Sequence, residues 1–394
     1  MEPWIDTTAS RLPRECYNRK RMHRLKRLTA ALSSQLPSAD AMLITHPQDV
    51  RYLTGFTGSN AALLLRFSQA SMHAAGRKSV PNAMLFTDGR YIEQAGQETK
   101  GAGVVIAQGP VLREACAWMQ AQGIRRCAFD AEHTTVTTLE TMRQAISSKL
   151  RRGFFQPVSP LVARLREIKD AGEIVRLRTA AQLGCSLFHD LLTAIGPGKR
   201  EVEIAAHLEY AARMAGAEAM SFETIVASGA RSALPHGHAT SQRLPKRGFV
   251  VLDFGVMLMG YCSDMTRTVR LGPATIAERF AYEAVLEAQL AAIAAVKSGV
   301  TCGEVDEAAR SVLRQAKLAD YFTHSTGHGV GLEIHEGPRI AARQQQKLEA
   351  GMLITIEPGV YLPGKFGIRI EDMVLVTRSG AEVLTPATKA WIEL

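Results

Sequence analysis

The chain has 394 residues, enough for two domains of ordinary size, and its 46% hydrophobic and 22% charged residues place it with globular proteins that build a core without disulfide staples. The formal charge of +9 raises nucleic acid or an anionic membrane as partners, and Arg11, Arg14, Arg19, Lys20, Arg21, Arg24, Lys26 and Arg27 cluster near the N-terminus. Only Tyr17 stands among them as a stacking platform, so the cluster reads as the solvated face of a first helix behind a loose tail, and no nucleic-acid partner is expected. Cys16, Cys116, Cys127, Cys185, Cys262 and Cys302 form no C-x-x-C pair. That excludes a zinc knuckle or a dithiol redox motif and predicts buried free thiols in a reducing compartment. No apolar run reaches the ~18 residues of a membrane-spanning helix, and the first residues carry no apolar signal core. The expected location is the cytoplasm, away from membranes.

Taken in chain order, residues 22–36 have helical spacing. Strand-length apolar runs follow at 41–45, 61–67, 83–86, 103–107 and 127–129, each bounded by turn residues. Residues 69–82, with Gly76, Lys78 and Pro81, read as a loop. Polar helical segments separate the later strands, which predicts an α/β layer domain over 22–155. Gly153, Pro157 and Pro160 make 151–160 a linker signal. A long amphipathic segment then spans 163–195 and stops at Gly196-Pro-Gly. Further helices are predicted at 201–215, 276–296 and 304–317. Strands are predicted at 223–227, 249–254, 261–271, 352–356, 367–370 and 373–377. Residues 161–394 therefore form an α+β domain, with helices in blocks and strands in hairpins.

The chemistry lies in that second domain. Asp253, Asp264, Glu357 and Glu371 all sit in strand-like apolar surroundings. A carboxylate buried alone costs several kcal/mol, so four of them need a shared compensation, which divalent cations supply. Gly255 and Gly260 let the segment between Asp253 and Asp264 turn as a hairpin and bring the two carboxylates side by side. Such a pair repels unless a cation lies between. Carboxylate-rich sites suit Mn²⁺ or Co²⁺, and a histidine adds a borderline ligand. His324, His328 and His335 fall within one glycine-rich stretch whose backbone can approach a ligand closely. His236 lies in Leu234-Pro-His-Gly-His, another turn-like segment. His238, in the same turn, reads equally as a bystander or as part of the site wall.

The motifs Pro235-His-Gly, Asp253-Phe-Gly, Gly260-Tyr-Cys-Ser-Asp-Met-Thr-Arg-Thr, Gly327-His-Gly-Val-Gly-Leu-Glu-Ile-His-Glu, Ile356-Glu-Pro-Gly and Ile368-Arg-Ile-Glu-Asp occur in this order. Together they resemble the proline-specific branch of the pita-bread metallopeptidases, aminopeptidase P and prolidase (Xaa-Pro dipeptidase). Thr45-His-Pro-Gln-Asp-Val-Arg-Tyr-Leu-Thr-Gly-Phe and Leu85-Phe-Thr-Asp-Gly-Arg-Tyr resemble that branch's amino-terminal domain, so the likeness covers nearly the whole chain. It implies a creatinase-like α/β domain over 22–155, a pita-bread catalytic domain over 161–394, and a basic extension over 1–21.

The resemblance also implies roles. Asp253 chelates one of two divalent ions, Asp264 and Glu371 bridge both, and His328 and Glu357 complete the other. The implied metal is Mn²⁺, with Co²⁺ or Zn²⁺ as alternatives, and a hydroxide bridging the pair is the implied nucleophile. Glu357 matches the proton shuttle, and His335 and His236 match contacts to the scissile peptide. Arg369, His324 and Tyr361 match positions around the metals or in the substrate pocket. The implied substrates are peptides with proline in the second position, and the implied assembly is a homodimer or homotetramer. Two other readings stay open: an aminopeptidase without proline preference, and a binding module that uses its basic surface without metal.

Overall fold

The computed structural model describes residues 14–36, 38–67 and 83–394. The chain divides into two compact units, one ending at Arg166 and the other running from Glu167 to Leu394. Residues 1–13 of the expected extension, and the expected loop over 69–82, lie outside the described residues.

The first unit opens on α1 (Arg14–Gln35), which starts eight residues ahead of the predicted helix. Much of the basic cluster therefore lies on a helix. Arg24 departs from the expected solvated face: its guanidinium lies 4.0 Å from the centroid of the Tyr52 ring, and its Nη1 donates to the Tyr52 carbonyl at 2.9 Å. There follow β1 (Ala41–Ile44), α2 (Pro47–Thr54), β2 (Ala61–Arg66), β3 (Ala83–Asp88), α3 (Ile92–Glu98), β4 (Gly103–Ala107), α4 (Val111–Ala121), β5 (Cys127–Asp130) and α5 (Val136–Gln144). Next come a single bent turn, α6 (Arg151–Phe154), then β6 (Phe155–Val158) and α7 (Leu161–Glu167). Among the described residues, six strands form one sheet in the order β4-β3-β2-β1-β5-β6. β1 pairs antiparallel with β2 and parallel with β5. Every residue of β1 and β5 is buried, which is why both read as unbroken apolar runs. The 151–160 linker is corrected here. Residues 151–154 form the bent turn α6 and 155–158 the edge strand β6, parallel to β5, and an edge tolerates Pro157 because one side needs no ladder partner. Linkers and edge strands share this composition.

The second unit begins with α8 (Ala171–Ala194), so the segment predicted as one helix over 163–195 is two. The break is a capping box: the Asp170 carboxylate accepts from the Gly172 and Glu173 amides, and Glu173 accepts from the Asp170 amide at 2.9 Å. α9 (Glu201–Met214), β7 (Ala219–Met220), β8 (Ile225–Ser228), β9 (Gly248–Phe254), β10 (Val256–Leu258), β11 (Tyr261–Cys262) and β12 (Met265–Leu271) follow. Then come α10 (Ile276–Ala295) and α11 (Cys302–Gln315), each opened by a Thr-x-x-Glu capping box. β13 (Gly327–Gly329), β14 (Glu336–Ile340), β15 (Leu353–Ile356), β16 (Gly359–Leu362), β17 (Phe366–Arg369), β18 (Asp372–Val376) and β19 (Ala381–Val383) close the chain. β9 lies between β8 and β12, and a second sheet runs β14-β13-β15-β18-β19. Val285 and Ala288 of α10 pack with Ile354, Ile356 and Val374 in one core, while α8 and α9 pack with Val250, Leu252 and Val269 in another. The cores make the strands rigid, and the acidic residues stand at the strand ends.

Candidate metal centre

Each acidic residue is delivered by the end of a buried strand. Asp253 is the penultimate residue of β9, Asp264 immediately precedes β12, Glu357 follows β15, and Glu371 lies between β17 and β18. The hairpin expected between Asp253 and Asp264 forms, but the two are not a directly opposed register pair. The β9–β12 register places Asp253 opposite Thr266, because the short hairpin β10–β11 is inserted between the two strands. The carboxylates still feel one another, since Asp253 is among the charges that raise the pKa of Asp264. Single ligand atoms from Asp264, His328 and Glu371 all lie within 4.8 Å of one another. His328 Nε2 stands 3.6 Å from Asp264 Oδ2 and 3.5 Å from Glu357 Oε1.

Hydrogen bonds orient these groups. His328 Nδ1 meets the Gly329 carbonyl at 3.0 Å, so its proton sits there and Nε2 keeps a lone pair toward the carboxylates. Thr266 Oγ1 donates to Glu371 Oε2 at 2.7 Å, and Thr355 Oγ1 donates to Glu357 Oε1 at 3.3 Å. Arg369 pairs with Asp253 Oδ2 and donates to Thr266 Oγ1 at 3.1 Å, to Tyr361 Oη at 2.7 Å and to the Pro235 carbonyl at 2.9 Å. Tyr361 Oη meets His324 Nε2 at 2.9 Å, and His324 Nδ1 meets the Ser325 carbonyl at 2.8 Å. The consistent reading is a relay in which Arg369 donates to Tyr361, Tyr361 to His324, and His324 to the backbone.

The electrostatics fit a cation. Burial raises Asp264 and Glu371 well above the usual carboxylate range, and each is pushed further by the neighbouring acids. Burial, opposed by Arg369, lifts Glu357 to about 8. Burial holds His328 down to about 4, so it is neutral, as a ligand must be. Burial works against Arg369, but Tyr361, Asp253, Glu357 and Glu371 outweigh it and hold the guanidinium charged. One arginine cannot neutralise four acids. Asp253 Oδ1 is buried without a hydrogen-bond partner. Oxygen-rich donors with one imidazole suit borderline divalent ions.

Residues 175–378, just over half of the chain, match metallopeptidase family M24, and residues 24–168 match the creatinase/prolidase N-terminal domain. The chain belongs to metallopeptidase family M24. Among its M24 relatives, an uncharacterised peptidase, YqhT, of Bacillus subtilis is 38% identical over 90% of this chain and 96% of its own length. The structure of an Xaa-Pro dipeptidase from Bacillus anthracis superposes with a TM-score of 0.87 at 38% identity, covering 95% of this chain and 100% of that one. That of an X-Pro aminopeptidase from Thermotoga maritima superposes with a TM-score of 0.81 at 35% identity, covering 92% and 99%. The α/β unit followed by the α+β unit is thus the M24 arrangement with its creatinase-type first domain.

The M24 unit also gathers the remaining predicted residues. His335 packs edge-on against His328, with ring centroids 4.4 Å apart, and burial together with nearby His236 lowers its pKa. His236 follows the proline whose carbonyl Arg369 holds, and it is among the groups that lower the pKa of His324. His238 turns away to Glu223 at 3.2 Å on an exposed edge. Sequence reasoning missed Thr266 and Thr355. Both were open to it, because Thr266 follows Asp264 by two and Thr355 precedes Glu357 by two, the same-face spacing of a strand. It also missed Asp306 and Arg310 on α11. Asp306 Oδ1 accepts from the Thr326 amide and hydroxyl at 3.2 and 2.8 Å, and Arg310 Nη2 donates to the His324 carbonyl at 2.6 Å. An acid and an arginine four apart on a helix look like a surface pair, so no local signal marked them.

Proposed function

We propose that the chain hydrolyses the peptide bond between an N-terminal residue and a following proline, with two divalent ions held by Asp253, Asp264, His328, Glu357 and Glu371. The observation that carries this reading is the gathering of buried Asp264 and Glu371 with a neutral His328, beside half-buried Glu357 and buried Asp253, where among the described residues Arg369 is the cation paired with Asp253. The proline preference is supported by the Xaa-Pro dipeptidase and X-Pro aminopeptidase among the similar structures. Mn²⁺ is the proposed ion, ahead of Co²⁺ or Zn²⁺. When bound, such a pair supplies a nucleophile near neutral pH and polarises the scissile carbonyl.

The chain's own residues do the rest. Asp253, Asp264, His328, Glu357 and Glu371 would hold the two ions. Thr266 and Thr355 hold Glu371 and Glu357 in orientation. Glu357 carries the proton from the attacking water to the departing proline nitrogen. His335 and His236 hold the scissile peptide and steady the developing oxyanion. Arg369 pairs with Asp253 and is itself anchored by Tyr361 and the Pro235 carbonyl. Assembly as a homodimer or homotetramer belongs to the same proposal, as does a cytoplasmic setting. The second is supported by the free, buried Cys116, Cys127, Cys185 and Cys302. Among the described residues no helix is long and apolar enough to cross a membrane.

The test compares an Xaa-Pro dipeptide with a longer peptide bearing proline second, in Mn²⁺. A dipeptidase cleaves the first alone, and an aminopeptidase cleaves the longer one as well. Asp253→Ala and Glu357→Ala are each expected to abolish hydrolysis. Undiminished turnover in either variant, or no cleavage of either peptide by the wild type, overturns the proposal.

A further inference from the structure

The first unit holds a second gathering of ligand-type side chains that the peptidase reading does not use. β1 and β5 are parallel neighbours, with Leu43 opposite Phe129, so both leave the sheet at the same end. The residues at and beyond those ends are therefore brought together: His46 capping α2 and Asp49 in its first turn, Asp130 as the last residue of β5, and His133 just after it. Crevices beyond the carboxyl ends of parallel strands are where such folds bind ligands.

We propose that His46, Asp49 and His133 form a separate site for a single borderline divalent ion of the Zn²⁺ class. Ligand atoms from these three residues lie within 4.8 Å of one another. Asp49 is wholly buried, yet its Oδ2 accepts no hydrogen bond. That oxygen stands 3.5 Å from His46 Nδ1, close to the roughly 3.3 Å between neighbouring ligands of a tetrahedral ion at zinc distances. The other carboxylate oxygen, Oδ1, is fixed by Arg166 Nη1 at 2.8 Å, which aims Oδ2 at the histidines. Asp130 Oδ2 meets His133 Nδ1 at 2.9 Å, which leaves His133 Nε2 as the free ligand atom, in the carboxylate–histidine arrangement that supports metal sites. Asp130 is thus a positioning residue. The two rings stack with centroids 3.9 Å apart and an interplanar angle of 18°. Ion binding swings them edge-on, and His133, with a quarter of its side chain exposed, has room to move and leaves a path to solvent. Two histidines and one carboxylate leave a fourth position for water.

This proposal is independent of the peptidase reading, and one experiment separates them. Full-length protein is stripped with a chelator, loaded with Zn²⁺, freed of excess ion and assayed for metal per chain, alongside Asp253→Ala/Glu357→Ala and the same double variant carrying His133→Ala. The double variant is expected to keep one Zn²⁺ per chain and the triple variant none. In Co²⁺ the double variant shows the visible bands of a four-coordinate site, and these vanish in the triple variant. His133→Ala and Asp130→Asn in the otherwise wild-type chain each weaken the extra site at least tenfold while leaving Xaa-Pro hydrolysis in Mn²⁺ within twofold. Equal zinc in double and triple variants, or none in a folded double variant, overturns the proposal whatever becomes of the peptidase activity.

Discussion

Thr266 shows how much of the proposed metal centre depends on a residue outside the proposed ligand set. Its hydroxyl donates to Glu371 Oε2 and accepts from Arg369 Nε, so one oxygen fixes both an acid and its counter-charge. Groups that orient metal ligands are commonly worth about 10–100-fold in affinity or activity. Thr266→Val keeps the shape and removes the hydroxyl. It is expected to weaken Mn²⁺ binding and lower kcat/KM at limiting Mn²⁺ by about 10–100-fold, as read by metal titration and by rate. Unchanged Mn²⁺ affinity would show that Glu371 needs no such support. Thr355 does a related job, since it donates to Glu357 and accepts from the His328 amide. One hydroxyl thereby couples two predicted ligands on neighbouring strands.

At the scale of elements, the centre depends on close backbone approach. β13 carries His328 between two glycines. A Cβ on Gly327 would lie 2.0 Å from the Thr355 carbonyl oxygen, and one on Gly329 would lie 2.0 Å from that of Gly337. Neither fits without moving backbone, so β13 must part from its neighbours if either gains a side chain. Gly327→Ala is therefore expected to displace His328, lower the thermal midpoint and cut metal affinity together. Gly96→Ala, on α3 with nothing within 4 Å of the added carbon, should leave both unchanged. A Gly327→Ala protein with wild-type Mn²⁺ affinity contradicts this account. The glycines around His328 thus matter less for conformational freedom than for the space they leave.

For the whole molecule, the buried acids tie stability to pH and metal. An acid whose pKa is raised on folding stabilises the fold while protonated, and that stability is lost as pH rises through the folded value. Glu357, at about 8 in the metal-free chain against 4.5 unperturbed, loses it up to about pH 8. Half-buried His324 and His328, both lowered to about 4 from 6.5, act oppositely, but only below pH 6.5. Between pH 6.5 and about 8 the acids alone decide. The metal-free protein should lose stability over that window, with Glu357 contributing up to about 1.4 kcal/mol per pH unit. Bound Mn²⁺ should flatten the slope and raise the melting temperature most at the alkaline end. Calorimetry with and without Mn²⁺ checks this, and a flat metal-free profile would mean the acids are not coupled as described.

Much of this was legible in the sequence. Buried strands advertise themselves by apolar runs, so the strand ends, and with them Asp253, Asp264, Glu357 and Glu371, could be marked before any coordinates. Long-range motif order gave the family and the two-domain plan. Local patterns failed where two structures share one composition, as with the edge strand β6 taken for a linker. They failed again where a short cap, Asp170 with Glu173, divides what looks like a continuous helix. Tertiary structure alone decided the register that sets Asp253 against Thr266, and the reach of Asp306 and Arg310 from α11 to the His324 loop. It also decided the meeting of His46 and Asp49 with His133. The physical reason is common to all three. A chain records which residues are buried through local hydrophobic period, but which buried polar groups face each other depends on strand pairing between segments distant in sequence, and no local period carries that information.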